Sequence, residues 1–263
     1  MPEGHTVHRI AIDHSKVLRG KHVAVSSPQG RFAADAALVD GTRLARIEAY
    51  GKHLFYEWGN GLVGHVHLGL FGKFRVHRGS APDDAPTVRM RLVVPKATVD
   101  LIGPTDCAIG TAADRDRIVQ RLGPDPLRDD AQPRVAFEAI VRRIAPIGQL
   151  LLEQKVMSGV GNVYRAEALF VNGIHPSRPG KEITPETFEG LWSTIVRMLR
   201  QGVADDCIVT LDRAEFEVPD GTARRGDTTY VYHRDLCLRC GAPILTVDLG
   251  GRPCYYCPVC QTL

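Results

Sequence analysis

The sequence Cys237-Leu238-Arg239-Cys240, followed sixteen residues later by Cys257-Pro258-Val259-Cys260, decides how the end of this chain folds. Two Cys-x-x-Cys turns at this spacing converge four thiolates on one tetrahedral Zn²⁺. The spacer contains Ile244-Leu245-Thr246-Val247 and a Gly250-Gly251 turn, which together predict a two-stranded hairpin. We therefore predict one structural zinc ion with Cys237, Cys240, Cys257 and Cys260 as its ligands. The alternatives are a redox dithiol and a chance cluster of cysteines.

The other cysteines and the composition bear on where the protein works. Five of the seven cysteines lie in the last 27 residues, and one of these, Cys254, stands outside both pairs and is expected to pack beside the site. No apolar stretch approaches the roughly 18 residues of a membrane span, and the start of the chain lacks the pattern of a signal peptide. We expect a cytoplasmic protein with reduced thiols. The net charge of +3 is compatible with a nucleic-acid partner without requiring one.

The first ~115 residues predict a β-sandwich, because short runs rich in Val, Leu, Phe and Tyr alternate with Gly, Asn, Asp and Pro. Two such runs are His53–Trp58 and Thr87–Val94. Gly59-Asn60-Gly61 is a hairpin signal. One helix is predicted over Val7–Leu18 from the spacing of its apolar residues. A helix followed by many antiparallel strands fits a sandwich.

The pattern changes after residues 123–133, a stiff and turn-rich stretch that we interpret as a linker between domains. Beyond it the periodicity predicts four helices, over Val135–Ile144, Gln149–Met157, Val163–Phe170 and Pro185–Leu199. Thr184 is the expected N-cap of the last helix, with Pro185 as its first residue. Residues 203–227 are polar with weak periodicity, which predicts a long mobile loop.

Pro2 and Glu3 directly follow Met1. Removal of a methionine that precedes a small residue would leave a secondary amine at the start of the chain. Such an amine attacks an electrophilic carbon to give an iminium, and this electron sink favours loss of a β-leaving group. Glu3 is placed to protonate a leaving group or to shuttle protons. The two residues alone are a weak signal, because many chains begin Met-Pro and short motifs recur by chance.

Seven short motifs occur in one order along the chain. They are Met1-Pro2-Glu3-Gly4, Gly51-Lys52-His53-Leu54, His67-Leu68-Gly69-Leu70-Phe71-Gly72, Arg121-Leu122-Gly123-Pro124-Asp125-Pro126-Leu127, Gly159-Val160-Gly161-Asn162-Val163-Tyr164, Val231-Tyr232-His233-Arg234, and Arg252-Pro253 with Cys257-Pro258-Val259-Cys260-Gln261. Together they resemble the formamidopyrimidine-DNA glycosylase/endonuclease VIII family over nearly the whole chain. The resemblance implies a two-lobed α+β protein with an N-terminal β-sandwich, a linker, a helix-two-turns-helix domain and a zinc-ribbon hairpin, over residues 1–118, 119–132, 133–227 and 228–263.

The resemblance further implies a bifunctional DNA glycosylase and AP lyase of base excision repair, with damaged DNA held between the lobes. Pro2 looks like the Schiff-base nucleophile that displaces the base at C1′, and Glu3 looks like the general acid and base. Lys52 looks like the strand-turn lysine that assists β-elimination; an ordinary hairpin lysine is the alternative. Arg252 looks like the finger arginine that binds phosphate and assists δ-elimination; a solvated arginine on a turn is the alternative. We expect a monomer acting on duplex DNA, with single strands or bubbles as further substrates.

Seven further residues match positions that contact DNA in the family: His67, Leu70, Phe71, Arg121, Lys155, Asn162 and Tyr232. Asn162 follows Gly159 and Gly161, which let backbone N–H groups approach a phosphate at a helix N-terminus. Leu70 and Phe71 lie on a Gly-rich turn and look like a wedge that fills the gap left by a flipped nucleotide. The alternatives are a capped turn for Asn162, core packing for the wedge pair, and packing or a solvated charge for the others.

The motifs favour the endonuclease VIII branch of the family. The stretch Leu101–Cys107 lacks the Asp-Pro-Arg-Arg-Phe pattern of the second void-filling loop that formamidopyrimidine-type enzymes share. Arg121 before Gly-Pro and the single wedge Leu70-Phe71 are typical of the other branch. We therefore expect oxidised pyrimidines rather than 8-oxoguanine as substrates; a purine-specific enzyme and a catalytically silent DNA-binding module are the alternatives. His5-Thr6 stands where the family usually has Pro-Glu, which removes a carboxylate near Pro2.

Overall fold

The computed structural model describes residues 2–79, 85–216 and 228–263, which form two compact units. The first unit contains Val7–Arg121 and the chain before Gly4. The second unit contains Gly4–Thr6 and Leu122–Leu263. Within the described ranges, no helix has both the length and the apolar character that crossing a membrane requires.

The first unit is a sandwich of two antiparallel four-stranded sheets. Its elements are α1 (Gly4–Leu18), β1 (Ala24–Ser26), α2 (Ala33–Ala37), β2 (Leu44–Tyr50), β3 (His53–Trp58), β4 (Leu62–His67), β5 (Lys73–Arg78), β6 (Val88–Val94), β7 (Ala97–Ile102), β8 (Asp106–Thr111) and α3 (Ala112–Val119). One sheet has the order β1-β6-β7-β5 and the other β2-β3-β4-β8. Buried side chains from both sheets form a single apolar cluster, which confirms the predicted β-sandwich.

Strand β3 has the predicted bounds, His53–Trp58, and pairs with β4 across Gly59-Asn60-Gly61. Gly61 adopts φ +85°, a left-handed conformation that costs glycine little. The strand predicted over Thr87–Val94 is β6, which begins one residue later. The helix predicted from Val7 begins at Gly4, three residues earlier than the apolar spacing indicates.

The sequence does not predict the short helices α2 and α3, which have five and eight residues and are too short to show a clear period. A capping box starts α3. Asp114 accepts a hydrogen bond from the backbone N–H of Thr111 at 2.8 Å, and the Thr111 hydroxyl accepts from the Asp114 N–H at 3.3 Å. This box turns the chain from strand β8 directly into α3.

The second unit combines helices with a zinc-ribbon hairpin. Its elements are α4 (Pro133–Val141), α5 (Ile147–Leu150), α6 (Asn162–Val171), a 3₁₀ turn (Gly180–Glu182), α7 (Pro185–Asp205), β9 (Leu245–Asp248) and β10 (Pro253–Tyr256). The predicted start of α7 is confirmed, because the Thr184 side chain accepts from the Thr187 N–H at 3.2 Å and Pro185 is the first helical residue. The predicted finger hairpin is also confirmed, as the antiparallel pair of β9 and β10.

The helix predicted over Gln149–Met157 is wrong. Helix α5 ends at Leu150, and the chain then turns twice before α6 begins. The Gln154 side chain replaces helical hydrogen bonds there, donating to the Val160 carbonyl at 2.9 Å and accepting from the Gly159 N–H at 3.0 Å. The spacing of apolar residues cannot predict that a side chain forms hydrogen bonds of this kind with the backbone.

Two further boundaries differ from the prediction. The helix expected over Val135–Ile144 is α4, which begins at Pro133 and ends at Val141. Of the loop expected over residues 203–227, the first three residues continue α7 to Asp205, so a loop is wrong for them. Residues 206–216 contain no helix or strand, and residues 217–227 lie outside the described part of the chain.

Candidate active site and zinc centre

Pro2 and Glu3 lie immediately before α1, with Glu3 at its N-cap position. Glu3 has extended backbone (φ −118°, ψ −177°) and is fully buried, whereas Pro2 is half-buried. The next residue, Gly4, donates its backbone N–H to the carbonyl of Gly159 at 2.8 Å. The helix start is therefore held by a glycine of the Gly159–Tyr164 motif.

Lys52 lies in the two-residue turn between β2 and β3. Tyr50 pairs with His53 across this turn, and Gly51 has φ +56°. The Nδ1 atom of His67 donates to the backbone carbonyl of Lys52 at 3.0 Å, so the structure brings these two predicted site residues together. Because Nδ1 carries the proton in this bond, neutral His67 offers only an acceptor at Nε2, and donation to a phosphate requires the imidazolium form.

Two histidines that the sequence analysis does not assign stack beside His67. The ring of His53 lies 4.7 Å from that of His67 and 5.1 Å from that of His65, and His53 Nδ1 is 2.9 Å from His65 Nε2. Burial lowers the pKa of His53 to about 3 and that of His65 to about 4. The signal for this stack was present, because His-x-His places both rings on one face of β4 and His53 is the cross-strand partner of His67.

Leu70 and Phe71 form an exposed apolar tip between β4 and β5. Their exposed fractions are 52% and 85%, which excludes core packing as the reason for these side chains. Two glycines allow the turn. Gly69 has φ +65°, and a Cβ on Gly72 would lie 2.3 Å from the Leu68 carbonyl oxygen. The tip is therefore held in a tight turn while its apolar side chains remain in solvent.

Arg121 and Lys155 are exposed cations. Arg121 follows α3. Lys155 lies in the turns between α5 and α6, and its Nζ is 3.4 Å from a carboxylate oxygen of Glu153. A solvent-exposed ion pair of this kind contributes little, so it does not oppose exchange of the carboxylate for a phosphate.

Asn162 is the first residue of α6 and is buried against the finger hairpin. Its Nδ2 donates to the Pro253 carbonyl at 3.0 Å, and its Oδ1 accepts from Arg165 at 2.6 Å. The structure therefore brings Asn162 to the β9–β10 turn, which carries Arg252. The sequence analysis does not assign Arg165, although its position three residues after Asn162 places it on the same helix face.

Glu167 holds the backbone of the segment that contains Tyr232. Its buried carboxylate accepts from the N–H groups of Tyr230, Val231 and Tyr232 at 2.6, 2.9 and 2.9 Å. Burial raises the pKa of Glu167, and the hydrogen bonds oppose this. The Tyr232 ring is itself buried and meets Tyr255 of β10 edge-on, with 5.0 Å between centroids. Most of the Tyr232 side chain is thus engaged within the second unit.

The four predicted zinc ligands converge. Their Sγ atoms all lie within 4.8 Å of one another, with 3.5 Å between Cys240 and Cys257 and 3.9 Å between Cys237 and Cys260. Four sulfurs about 2.3 Å from a tetrahedral Zn²⁺ would be about 3.8 Å apart, so the group fits this ion. Cys254 is fully buried in β10 outside this group, and burial raises its pKa to about 11, which keeps it a thiol.

The fold and this set of side chains define the class of zinc-finger DNA glycosylases. The N-terminal domain of formamidopyrimidine-DNA glycosylase matches residues 1–103, its H2TH domain matches residues 122–212, and the zinc finger found in FPG and IleRS matches residues 235–263. The chain belongs to the formamidopyrimidine-DNA glycosylase/endonuclease VIII family.

Relatives and solved structures agree with this assignment. "Endonuclease 8 1" of Mycobacterium tuberculosis is 45% identical over 273 residues, covering all of both chains. "DNA-(apurinic or apyrimidinic site) lyase Nei2" of Mycolicibacterium smegmatis is 35% identical over 270 residues, covering 100% of this chain and 99% of the relative. The MutM (Fpg) protein of Thermus thermophilus has a TM-score of 0.79 at 28% identity, with 99% and 98% of the two chains covered. Lactococcus lactis Fpg, in complex with DNA containing N7-benzyl-Fapy-dG, has the same fold, with a TM-score of 0.83 at 21% identity over all of both chains.

Proposed function

We propose that this protein is a bifunctional DNA glycosylase and AP lyase that removes oxidised pyrimidines from DNA and then cuts the strand. One observation carries the proposal: a proline and a fully buried glutamate stand directly before α1 in a chain that belongs to this enzyme family. The relatives named as an endonuclease 8 and as an AP lyase support the same activity.

The reaction begins at the Pro2 nitrogen, once Met1 has been removed. Its lone pair attacks C1′ of the damaged nucleotide, and the electrons of the N-glycosidic bond leave with the base. Glu3 gives a proton to the departing base and later serves as a base. The Pro2 nitrogen then loses its proton, the C1′–O4′ bond breaks as O4′ takes up a proton, and the opened sugar is an iminium between Pro2 and C1′.

The iminium draws electrons from C2′, which loses a proton as the bond to the 3′-phosphate breaks. Loss of a second proton, from C4′, expels the 5′-phosphate as the C5′–O bond breaks, and hydrolysis of the iminium frees Pro2. Lys52 assists the first elimination and Arg252 the second by neutralising the departing phosphate. Cys237, Cys240, Cys257 and Cys260 would hold a zinc ion, which would contribute folding energy to the finger.

The DNA-binding roles of the remaining site residues are also proposals, based on the same family membership. Arg121, Lys155 and His67 bind backbone phosphates. Leu70 and Phe71 fill the space of the flipped nucleotide. Asn162 is hydrogen-bonded to Pro253 and Tyr232 to Glu167, both within the second unit. We therefore propose that these two residues contribute to phosphate binding by positioning the segments around them.

The length of the β7–β8 connection supports a pyrimidine substrate. Only residues 103–105 connect β7 to β8, so the chain has no long second void-filling loop there. A competition between duplexes that carry 5-hydroxyuracil and 8-oxoguanine tests whether the protein prefers oxidised pyrimidines, as expected for the endonuclease VIII branch, or oxidised purines. We expect the pyrimidine to be excised at least about tenfold faster, a difference of about 1.4 kcal/mol in the barrier. A preference for the purine would overturn this assignment.

Borohydride trapping on an abasic-site duplex tests the mechanism itself. The protein with a native N-terminus should become covalently attached to DNA, and mass spectrometry should place the sugar on Pro2. The variant Pro2→Gly and a protein that retains an N-terminal tag should trap far less, while Pro28→Gly, a turn proline distant in sequence, serves as the matched control. Attachment to another residue would contradict the proposal, and no attachment at all would favour a silent DNA-binding module.

The variant Glu3→Gln separates the glycosylase activity from the AP lyase activity. The amide has nearly the same shape as the carboxylate but cannot give or take the proton. We expect base excision to fall by about 10² to 10⁴, the usual contribution of general acid–base catalysis. Trapping on a preformed abasic site, which needs no base departure, should persist.

A further inference from the structure

Arg165 is a fully buried cation with four uncharged hydrogen-bond acceptors. It lies on α6, and its guanidinium donates to the Gly148 carbonyl at 2.8 Å, the Leu249 carbonyl at 3.1 Å, the Asn162 side-chain oxygen at 2.6 Å and the Arg252 carbonyl at 2.9 Å. A buried charge is costly, and hydrogen bonds to its donors reduce that cost. The four bonds of the two terminal nitrogens do so here, and they select arginine because only a planar fork of donors reaches several acceptors at once.

The acceptors lie in two places that are distant in sequence. Gly148 belongs to α5, whereas Leu249 and Arg252 are the first and last residues of the turn that connects β9 to β10. Asn162 completes the arrangement, because its Nδ2 donates to Pro253, the residue after Arg252. Both ends of the finger turn are therefore fastened to α6.

The turn itself is a tight connection of four residues. It contains two consecutive glycines, Gly250 and Gly251, with φ values of +67° and +71°. The hydrogen bonds inside it run from the Leu249 N–H to the Arg252 carbonyl at 3.0 Å and from the Gly251 N–H to the Asp248 carboxylate at 3.1 Å. These bonds fix the shape of the turn, whereas the bonds from Arg165 and Asn162 fix its position against α6.

We propose that Arg165 is a positioning residue for Arg252. It acts through the peptide carbonyls of the finger turn and sets where the Arg252 guanidinium meets the phosphate that leaves in the second elimination. This inference rests on the proposed function, in which Arg252 assists δ-elimination. Arg165 itself touches neither DNA nor the reacting atoms.

The ratio of δ- to β-elimination products on an abasic-site duplex tests the inference. The variant Arg165→Met keeps the length of the side chain and removes every donor. We expect the δ:β ratio to fall by roughly 10- to 100-fold, because a displacement of about 1 Å has effects of this size. The rate of Pro2 trapping, which precedes the δ step, should change less than about threefold, within the ordinary spread of neutral variants. Arg165→Lys retains the charge and can reach one acceptor, so it should give an intermediate ratio.

Arg178 provides a matched control. It is another arginine of the second unit, and its guanidinium also donates to a finger carbonyl, that of Thr262 at 3.1 Å. Thr262 lies after the last zinc ligand, away from the Arg252 turn in sequence. Arg178→Met should leave the δ:β ratio unchanged. Both Arg178→Met and Arg165→Met should retain one zinc ion per chain, which shows that the finger remains folded.

A double-variant cycle separates positioning from a general loss of structure. If Arg165 acts through Arg252, then Arg165→Met should lower the δ:β ratio in the wild-type background but not further in the Arg252→Ala background. Equal losses in both backgrounds would overturn the proposal.

Hydrogen exchange gives a readout without DNA. The backbone amides of Leu249 and Gly251 should exchange their hydrogens faster in Arg165→Met than in the wild type. If Arg165→Met fails to fold, the same comparison is made with Arg165→Lys. Unchanged exchange would overturn the inference. A wild-type protein that makes no δ product would instead contradict the proposed function, and the exchange data would still decide whether Arg165 holds the turn.

Discussion

Gly4 lies so close to the backbone of Gly159 that the position has no room for a side chain. The Gly4 N–H donates to the Gly159 carbonyl at 2.8 Å, and a Cβ on Gly4 would lie 2.9 Å from the Gly159 Cα. Backbone atoms on the facing side cannot rotate away, so Gly4→Ala must move the start of α1. We expect a loss of about 1–3 kcal/mol in the free energy of unfolding, as for overpacked cores.

The same variant should affect chemistry more than stability. Pro2 and Glu3 immediately precede Gly4, so a shift of the helix start displaces both, and trapping on abasic DNA should fall by about 10²-fold. Gly30→Ala is the control, because Gly30 has φ +85° and open space around it. It should lose stability through backbone strain while trapping proceeds normally. Normal trapping by Gly4→Ala would contradict the account of how α1 is held.

Substitutions of Cys257 and Cys254 should have different effects on zinc binding, although only two residues separate these cysteines. The Sγ of Cys257 belongs to the four-sulfur group and that of Cys254 does not. We expect Cys257→Ser to lose its zinc and the folded finger, because structural zinc contributes directly to folding free energy. Cys254→Ser should retain one zinc per chain. Zinc content by metal analysis, together with DNA affinity, distinguishes the two, and loss of the ion from Cys254→Ser would show that the ligand set is wrong.

The sequence predicts those parts of the protein whose determinants are local. The cysteine spacing predicts the zinc ribbon, the Gly59-Asn60-Gly61 turn predicts the β3–β4 hairpin, and Thr184-Pro185 predicts the start of α7. Each of these depends on residues that are close together in the chain, or on a metal-ligand spacing that is itself a sequence pattern.

Features that depend on contacts between residues distant in the chain could not be predicted from the sequence. Gln154 ends the predicted helix through side-chain bonds to a later turn, which no periodicity encodes. Arg165 is a charged residue that the sequence alone would assign to a solvated helix face, yet its acceptors include carbonyls more than 80 residues later, at Leu249 and Arg252. Only the fold reveals why a cation occupies that position.

Phe71 should affect the rate of base excision from duplex DNA but not the stability of the fold. Its side chain is 85% exposed, so Phe71→Ala should change the free energy of unfolding by less than about 0.5 kcal/mol. If the ring fills the gap left by a flipped nucleotide, its loss should slow excision from duplex DNA by about 10- to 100-fold, corresponding to the few kcal/mol that flipping costs. The same lesion in a single strand needs no such filler and should be excised at nearly the wild-type rate. Equal slowing on both substrates would exclude the wedge role.

Acid should destabilise the first unit through buried histidines. His14 on α1 is buried, and its Nδ1 lies 2.7 Å from the hydroxyl oxygen of Tyr56 on β3. Burial lowers the pKa of His14 from 6.5 to about 4, against the opposing charge of Asp13. The unfolded chain therefore binds a proton between pH 6.5 and 4 that the folded chain does not. Stability is complete above pH 6.5 and is lost as the pH falls through this window, by about 2 kcal/mol at pH 5 from His14 alone.

Trp58 provides a reporter for this loss. The chain has two tryptophans, and Trp58 is buried in the sandwich on the same strand as Tyr56, so its fluorescence in a Trp192→Phe background follows the first unit alone. Urea unfolding at pH 7.5 and pH 5 should show the expected decrease, and His14→Gln should reduce it because the amide can bond the Tyr56 hydroxyl without titrating. His22→Gln is the control, since His22 is exposed and bonds only a surface carbonyl, that of Gly41. In the first unit, burial also lowers the pKa values of His53 and His65. Part of the pH dependence should therefore survive in His14→Gln, and its complete disappearance would mean that the His53–His65 pair becomes protonated without cost to the fold.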